Sequence, residues 1–310
     1  MHGHSTTVLF VHQHLNYCPS RTLGCMQEGR PSRTAFGVAR RRAVHQILDH
    51  PPLVLDDPIA IRILGPQTAE AITADLEKHN SPFARAMRAF MVARSRCAED
   101  HLRSAVARGV MQYVVLGAGL DTFAYRSPYS EEQLRVFEVD HPATQQWKRH
   151  LLVEAAIPIP SALTFAPVDF EQQTLTAGLA QTGFNFRQPA FFSWLGVTPY
   201  LTLDAFRATI RSIASMPQGS GVTFEYALSR PFLSEREKIA FDHLAARVKA
   251  TGEPFQLCFS PEEMQEELRS QGFRDMEELT SKDLNAHYFD DRSDGLRLQG
   301  GVARLMTAWL

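Results

Sequence analysis

The amino-acid sequence predicts an α/β fold, a doubly wound and mostly parallel sheet behind an N-terminal helical cap. Three observations predict it. After Gly109, short apolar runs that end in glycine or aspartate alternate with helical stretches, the pattern of parallel strands joined by crossover helices. Before Gly109 the apolar spacing is helical throughout. No internal repeat and no linker divides the chain, so residues 31–310 read as one domain, with a cap over 31–108 and a core over 109–310.

In the cap, Ala35, Val38, Ala39, Ala43, Val44 and Ile47 recur at helical spacing, and the interleaved Arg40, Arg41 and Arg42 are expected on a solvated face. Asp49-His50-Pro51-Pro52 ends this helix, because proline disfavours helix in the residue before it. Asp57 reads as an N-cap and Pro58 as a first helical position for a helix reaching Leu64, closed by Gly65-Pro66. A long helix runs from Pro82 through Ala107.

In the core, Tyr113-Val114-Val115-Leu116 is a buried strand entering the turn Gly117-Ala118-Gly119. Strands over 134–139, 163–168, 190–194 and 221–226 follow, with helices over 142–154, 203–215, 232–250 and 261–270. Ser260 caps the last of these helices, and a final strand covers 301–310.

Lysine plus arginine number 32 against 34 acidic residues, a net charge of −2, which leaves no basic field to hold a nucleic-acid backbone. No apolar run reaches membrane-spanning length. Cys18, Cys25, Cys97 and Cys258 have neither zinc-ligand spacing nor a disulfide framework, and they read as reduced thiols of a cytoplasmic protein. His2, His4, His12 and His14 lie in a polar stretch with no carboxylate nearby. Residues 1–30 therefore read as a disordered tail, or as an overextended start before Met26, and no metal is expected.

Open α/β sheets bind ligands at the carboxyl ends of their strands, near the switch point in strand order. Gly117 and Gly119 give the first strand end a tight turn. Thr122 stands where the dinucleotide fingerprint has its third small residue. Asp121 before it puts a carboxylate at the expected helix start, which suits an ammonium or hydroxyl better than a pyrophosphate. Glu138 and Asp140 close the second strand about twenty residues further on, where a carboxylate holds a nucleoside ribose, and either is placed to do so. Asp169 and Phe170 offer an acceptor for an adenine amino group and a ring to lie against the base.

The strings Asp56-Asp57-Pro58-Ile59-Ala60, Ala93-Arg94-Ser95-Arg96, Val115 through Thr122, Phe137-Glu138-Val139-Asp140-His141-Pro142 and Val168-Asp169-Phe170 occur in this order. Together they resemble the leucine carboxyl methyltransferase-like family of class I S-adenosylmethionine-dependent methyltransferases, over residues 34–230. The resemblance implies a Rossmann-like, seven-stranded sheet and S-adenosyl-L-methionine as cofactor. It also implies O-methylation of a small-molecule hydroxyl or carboxylate, with no nucleic-acid or membrane partner. By position, it puts Gly117 against the methionine part of the cofactor, Asp140 on the ribose, Asp169 and Phe170 on the adenine, and Arg94 on the cofactor carboxylate. Gly119 and Asp121 complete the cofactor turn.

The sequence departs from the family's Glu-Gly-hydrophobic-Tyr pattern after the fourth strand. In Ser193-Trp194-Leu195-Gly196-Val197-Thr198-Pro199-Tyr200, Leu195 takes the glutamate's place, so carboxyl specificity does not carry over. No general base stands out, and Tyr200 and His141 are the candidates. The cap and an insertion over 227–260 are expected to form the acceptor pocket and a lid. Two rival readings share these features. A nicotinamide-dependent oxidoreductase is disfavoured by Asp121-Thr122, and a catalytically silent cofactor-binding protein is suggested by Leu195 and the missing base. Oligomeric state is not written in the sequence.

Overall fold

The structure is a computed structural model that describes residues 33–170, 172–250 and 254–310. The tail expected over 1–30, with its histidines and Cys18 and Cys25, lies outside the described residues. The chain opens with α1 (Arg33–Leu48), α2 (Pro58–Leu64), α3 (Pro66–Ala74), α4 (Leu76–Asn80) and α5 (Pro82–Ala107). The alternating part follows as β1 (Gln112–Leu116), β2 (Arg135–Asp140), α6 (Pro142–Glu154), β3 (Leu163–Pro167), α7 (Leu175–Ala180), β4 (Phe191–Trp194), α8 (Leu203–Ala214) and β5 (Gly221–Ala227). The chain ends with α9 (Glu235–Ala250), α10 (Pro261–Ser270), β6 (Asp275–Leu279), α11 (Ser281–Tyr288) and β7 (Ala303–Trp309).

The seven strands lie in the order β3-β2-β1-β4-β5-β7-β6. β1 to β5 are mutually parallel, whereas β7 runs antiparallel to both β5 and β6. Strand order reverses between β1 and β4, the place where such a sheet opens a ligand crevice. Helices cover both faces, so the central strands are buried throughout and need no polar alternation. Period two still sorts their side chains. Val114 and Leu116 pack with Phe206, Ile210 and Ile213 of α8, while Tyr113 and Val115 pack with Ala39, Ala43 and Leu102 of the cap side.

Local chemistry fixes the helix ends. Asp57 accepts from the Ala60 amide at the start of α2, with Pro58 filling the first helical position. Ser260 and Glu263 form a reciprocal capping box on α10. The long helix expected over 232–250 starts only at Glu235, after a short 3-10 turn over Arg230–Phe232.

Two expectations are corrected. No α-helix follows the glycine turn. The chain makes only a 3-10 turn over Phe123–Tyr125, because Pro128 denies helical geometry to Ser127 and leaves too few residues for an α-helix. Arg42 is not solvated. It is buried, donating through Nη2 to the Leu120 carbonyl at 2.5 Å and through Nη1 to Asp121 Oδ2 at 3.3 Å, with Nε 3.4 Å from Asp57.

Candidate active site

The carboxyl ends of β1, β2 and β4 meet at the switch point. Gly117 and Gly119 both have positive φ, +65° and +48°, which a side chain adopts only at a cost. Protein also fills the space where their side chains would stand. A Cβ on Gly117 would overlap Val197 Cγ2, and one on Gly119 would come within 2.9 Å of Ala35 Cβ. Glycine is required here by packing of the turn against α1 and the segment after β4. Gly196, at φ +79°, lets that segment turn beside Arg94.

Asp140 clamps the turn. Its Oδ2 accepts from the Gly119 amide at 2.6 Å and its Oδ1 from the His141 amide at 2.7 Å. Burial raises its carboxyl above the usual aspartate range, against the opposing pull of those two amides. The side chain stays half-buried, with lone pairs left for further donors. Glu138, the other candidate for that role, is fully buried and bound to Lys148 Nζ at 2.6 Å, with its carboxyl pushed by burial up to about 7. The two acids share a strand face, but only Asp140 reaches the strand end.

Asp121 is tied into the protein. Its Oδ1 accepts from the Phe123 amide at 2.8 Å while Oδ2 faces Arg42. Burial would raise its carboxyl, but Arg42, Lys148 and Arg126 outweigh that and hold it below the usual range. His141 caps α6, accepting from the Ala143 amide at 3.2 Å through Nδ1, while Nε2 lies 4.0 Å from Asp169 Oδ2. Its ring is thus engaged at the end of β2, away from the apolar cavity described below. Phe170 is 51% exposed, next to Asp169, which accepts from Gln172 at 2.6 Å.

On the other side of the switch point a cavity of about 200 Å³ opens. Its walls include Phe83, Met87 and Phe90 of α5, Phe241 and Leu244 of α9, and Phe255, so both the cap and the late insertion contribute. Tyr200 also lines it, its ring 5.4 Å from that of Phe255. The charged residues among its lining are Arg94 and Glu225. Arg94 Nη1 donates to Glu225 Oε1 at 2.7 Å, and the Gly196 amide donates to the same oxygen at 2.5 Å. Arg94 Nε and Glu225 Oε2 have no hydrogen-bond partner.

Glu225 was not singled out from the sequence, because it interrupts an apolar run that Tyr226, Ala227 and Leu228 continue, whereas Asp140 ends one. Register explains its place. Trp194 pairs with Phe224, so the next step along the two parallel strands sets Glu225 beside Leu195.

Among the described residues no group of three or more His, Cys, Asp or Glu is arranged to hold a metal, and no helix is long and apolar enough to cross a membrane. The site fits a nucleoside bearing an amino-acid end. A half-buried carboxylate closes β2, an exposed ring stands beside an acid after β3, and a buried guanidinium keeps one N–H unpaired near the β4 turn.

Strand order, the antiparallel β7 and a site at the switch point define the class as a Rossmann-like α/β methyltransferase fold. Residues 35–214 match the leucine carboxyl methyltransferase family. The Bacillus subtilis (strain 168) protein YktD, named as a candidate S-adenosyl-L-methionine-dependent methyltransferase, is 35% identical over 292 residues, covering 87% of this chain and 95% of its own. A Mycobacteroides abscessus protein of the same description is 33% identical over 212 residues, 67% of each chain. Among solved structures, a candidate methyltransferase from Thermobifida fusca YX superposes with a TM-score of 0.52 at 15% identity, over 91% of this chain and 96% of its own. A duf574 family protein from Streptomyces avermitilis gives 0.54 at 16% identity, over 87% and 96%. The chain belongs to the leucine carboxyl methyltransferase family, and it is a methyltransferase with S-adenosyl-L-methionine as cofactor.

Proposed function

We propose that this protein transfers a methyl group to an oxygen, a hydroxyl or a carboxylate, of a small and largely apolar molecule. The observation that carries the reading is the aromatic- and methionine-lined cavity with its polar end at Arg94 and Glu225, next to the strand ends that suit the cofactor. A pocket with apolar walls and a few fixed polar groups holds a small molecule by area and orients it by those groups.

When bound, S-adenosyl-L-methionine supplies an activated methyl group on a sulfonium. Asp140 accepts the two ribose hydroxyls with the lone pairs that Gly119 and His141 leave free. Phe170 lies against the adenine and Asp169 accepts from its amino group. Arg94, oriented by Glu225, holds the cofactor carboxylate with its remaining N–H groups. Gly117, Gly119 and Asp121 keep the turn in shape. The phenyl walls exclude water and align the acceptor oxygen, an effect worth several kcal/mol in a displacement of this kind. Free Cys97 and Cys258 and the near-neutral charge suit work in a reducing cytoplasm on an uncharged or weakly charged substrate.

The test is transfer from methyl-labelled S-adenosyl-L-methionine to a panel of small aromatic and aliphatic alcohols and acids, read by mass spectrometry. An O-methylated product is expected. Cofactor binding with no product across the panel would instead favour a silent binding protein.

A further inference from the structure

The pair at the polar end of the cavity has more to say about the acceptor. Glu225 is 3% exposed and Arg94 5%, so neither charge is satisfied by bulk water. Glu225 Oε1 is fixed by two donors, Arg94 Nη1 and the Gly196 amide, whereas Oε2 accepts nothing. A buried carboxylate oxygen without a donor is costly, and a ligand that brings a donor relieves that cost. The cation beside it is already committed, since Arg94 is paired with Glu225 within the protein and its remaining N–H groups go to the cofactor carboxylate on the reading above. No second cation lines the cavity among the described residues.

We propose that Glu225 is the acceptor-reading residue of this site, and that it selects an apolar molecule carrying a hydroxyl, a phenol above all, over one carrying a carboxylate. This rests on the methyltransferase reading above and narrows it. A phenol donates its O–H to Glu225 Oε2 and leaves its ring to the phenyl walls. A carboxylate of the same shape has no proton to give and meets a second buried negative charge with no free cation to answer it. The chemical step closes on the same contact. The acceptor oxygen forms its bond to the methyl carbon as the carbon–sulfur bond breaks, the electron pair of that bond stays on sulfur, and the hydroxyl proton passes to Glu225 Oε2.

The experiment is calorimetric titration of the full-length protein, saturated with S-adenosylhomocysteine, with 2-naphthol and with 2-naphthoate, for wild type and Glu225→Gln. Wild type is expected to bind 2-naphthol at least tenfold more tightly than 2-naphthoate. Glu225→Gln, which keeps the shape and an oxygen for Arg94 but loses the charge, is expected to shrink that ratio at least tenfold, both probes being titrated at an S-adenosylhomocysteine concentration that saturates the variant. Equal or tighter binding of 2-naphthoate by wild type, an unchanged ratio in the variant, or binding of neither probe overturns the assignment of Glu225. Failure of wild type to bind S-adenosylhomocysteine overturns the methyltransferase reading beneath it. Should Glu225→Gln not fold, the wild-type ratio alone decides.

Discussion

Replacing Asp140 by alanine removes two things at once, the clamp on the Gly119 amide at 2.6 Å and the free lone pairs offered to the ribose. Each hydrogen bond from a ribose hydroxyl to an ionised carboxylate contributes about 1.5–3 kcal/mol. Two of them give about 3–6 kcal/mol, a loss of roughly two to four decades in affinity. Asp140→Asn keeps the shape and one acceptor oxygen, so it belongs between wild type and alanine. The assay is calorimetric titration with S-adenosylhomocysteine, with a thermal melt of each variant to show that it is folded.

The pH dependence supplies a second, independent sign. Burial raises the Asp140 carboxyl, so its gripping, ionised form is lost on acidification earlier than an ordinary aspartate would dictate. Affinity for S-adenosylhomocysteine should therefore fall from about pH 7 to about pH 4 in wild type and stay flatter in Asp140→Asn. Stability of the ligand-free protein runs the other way. A raised carboxyl contributes stability below its unfolded value, and that contribution is lost as pH rises through the folded one. A dissociation constant for Asp140→Ala within threefold of wild type, in a folded protein, would refute the assignment of the ribose to this carboxylate.

Three further outcomes follow from the geometry. Gly117→Ala should cost about 2–5 kcal/mol in a urea melt, from left-handed backbone together with overlap on Val197. Adding Val197→Ala should recover the overlap share and leave the backbone share. Lys148→Met strands the buried Glu138 and should cost about 3–5 kcal/mol near pH 9, whereas Glu138→Leu with Lys148→Met should recover most of it. Because the Glu138 carboxyl is pushed by burial up to about 7, the single-variant loss should shrink near pH 5, where the acid is protonated, and denaturant melts at about these two pH values check the sign. Phe241→Ala and Phe255→Ala should each weaken 2-naphthol binding about tenfold and leave S-adenosylhomocysteine affinity unchanged, as titration of each ligand would show.

The residues that announced themselves in the sequence were those at strand ends. Parallel strands buried on both faces are continuous apolar runs, so a glycine or an acid that stops one stands out, and Asp140 was found this way. Glu225 does not stop its run, and the signal that could have found it is a different one, an acid inside a strand buried on both faces. Arg42 was not findable, since its partners Asp57 and Asp121 reach it only through the packing of α1 against α2 and the glycine turn. An arginine among arginines on an amphipathic helix reads as solvent-facing until that packing is known.

β6 was illegible for a different reason. Asp275-Met276-Glu277-Glu278-Leu279 lies at the sheet edge with two of its residues exposed, so it carries no apolar run. α3 and α4, nine and five residues long, are too short for periodicity to register. Whether Glu138 or Asp140 faces a ligand could not be decided by alternation, because the two share a face. The lysine ten residues on takes up Glu138 and leaves Asp140 at the strand end.

The turn proposed to carry the cofactor is assembled from two distant stretches of chain. Gly119 rests on Ala35, and Arg42 of the same helix binds the Leu120 carbonyl, so α1 adds a second hold on the turn after β1 beside the Asp140 clamp. On the proposed site, docking of that helix and capture of the nucleoside are therefore thermodynamically linked. Whatever free energy the ligand contributes to holding the turn then also holds the first helix in place, and a change that loosens α1 is felt as lost affinity at the turn.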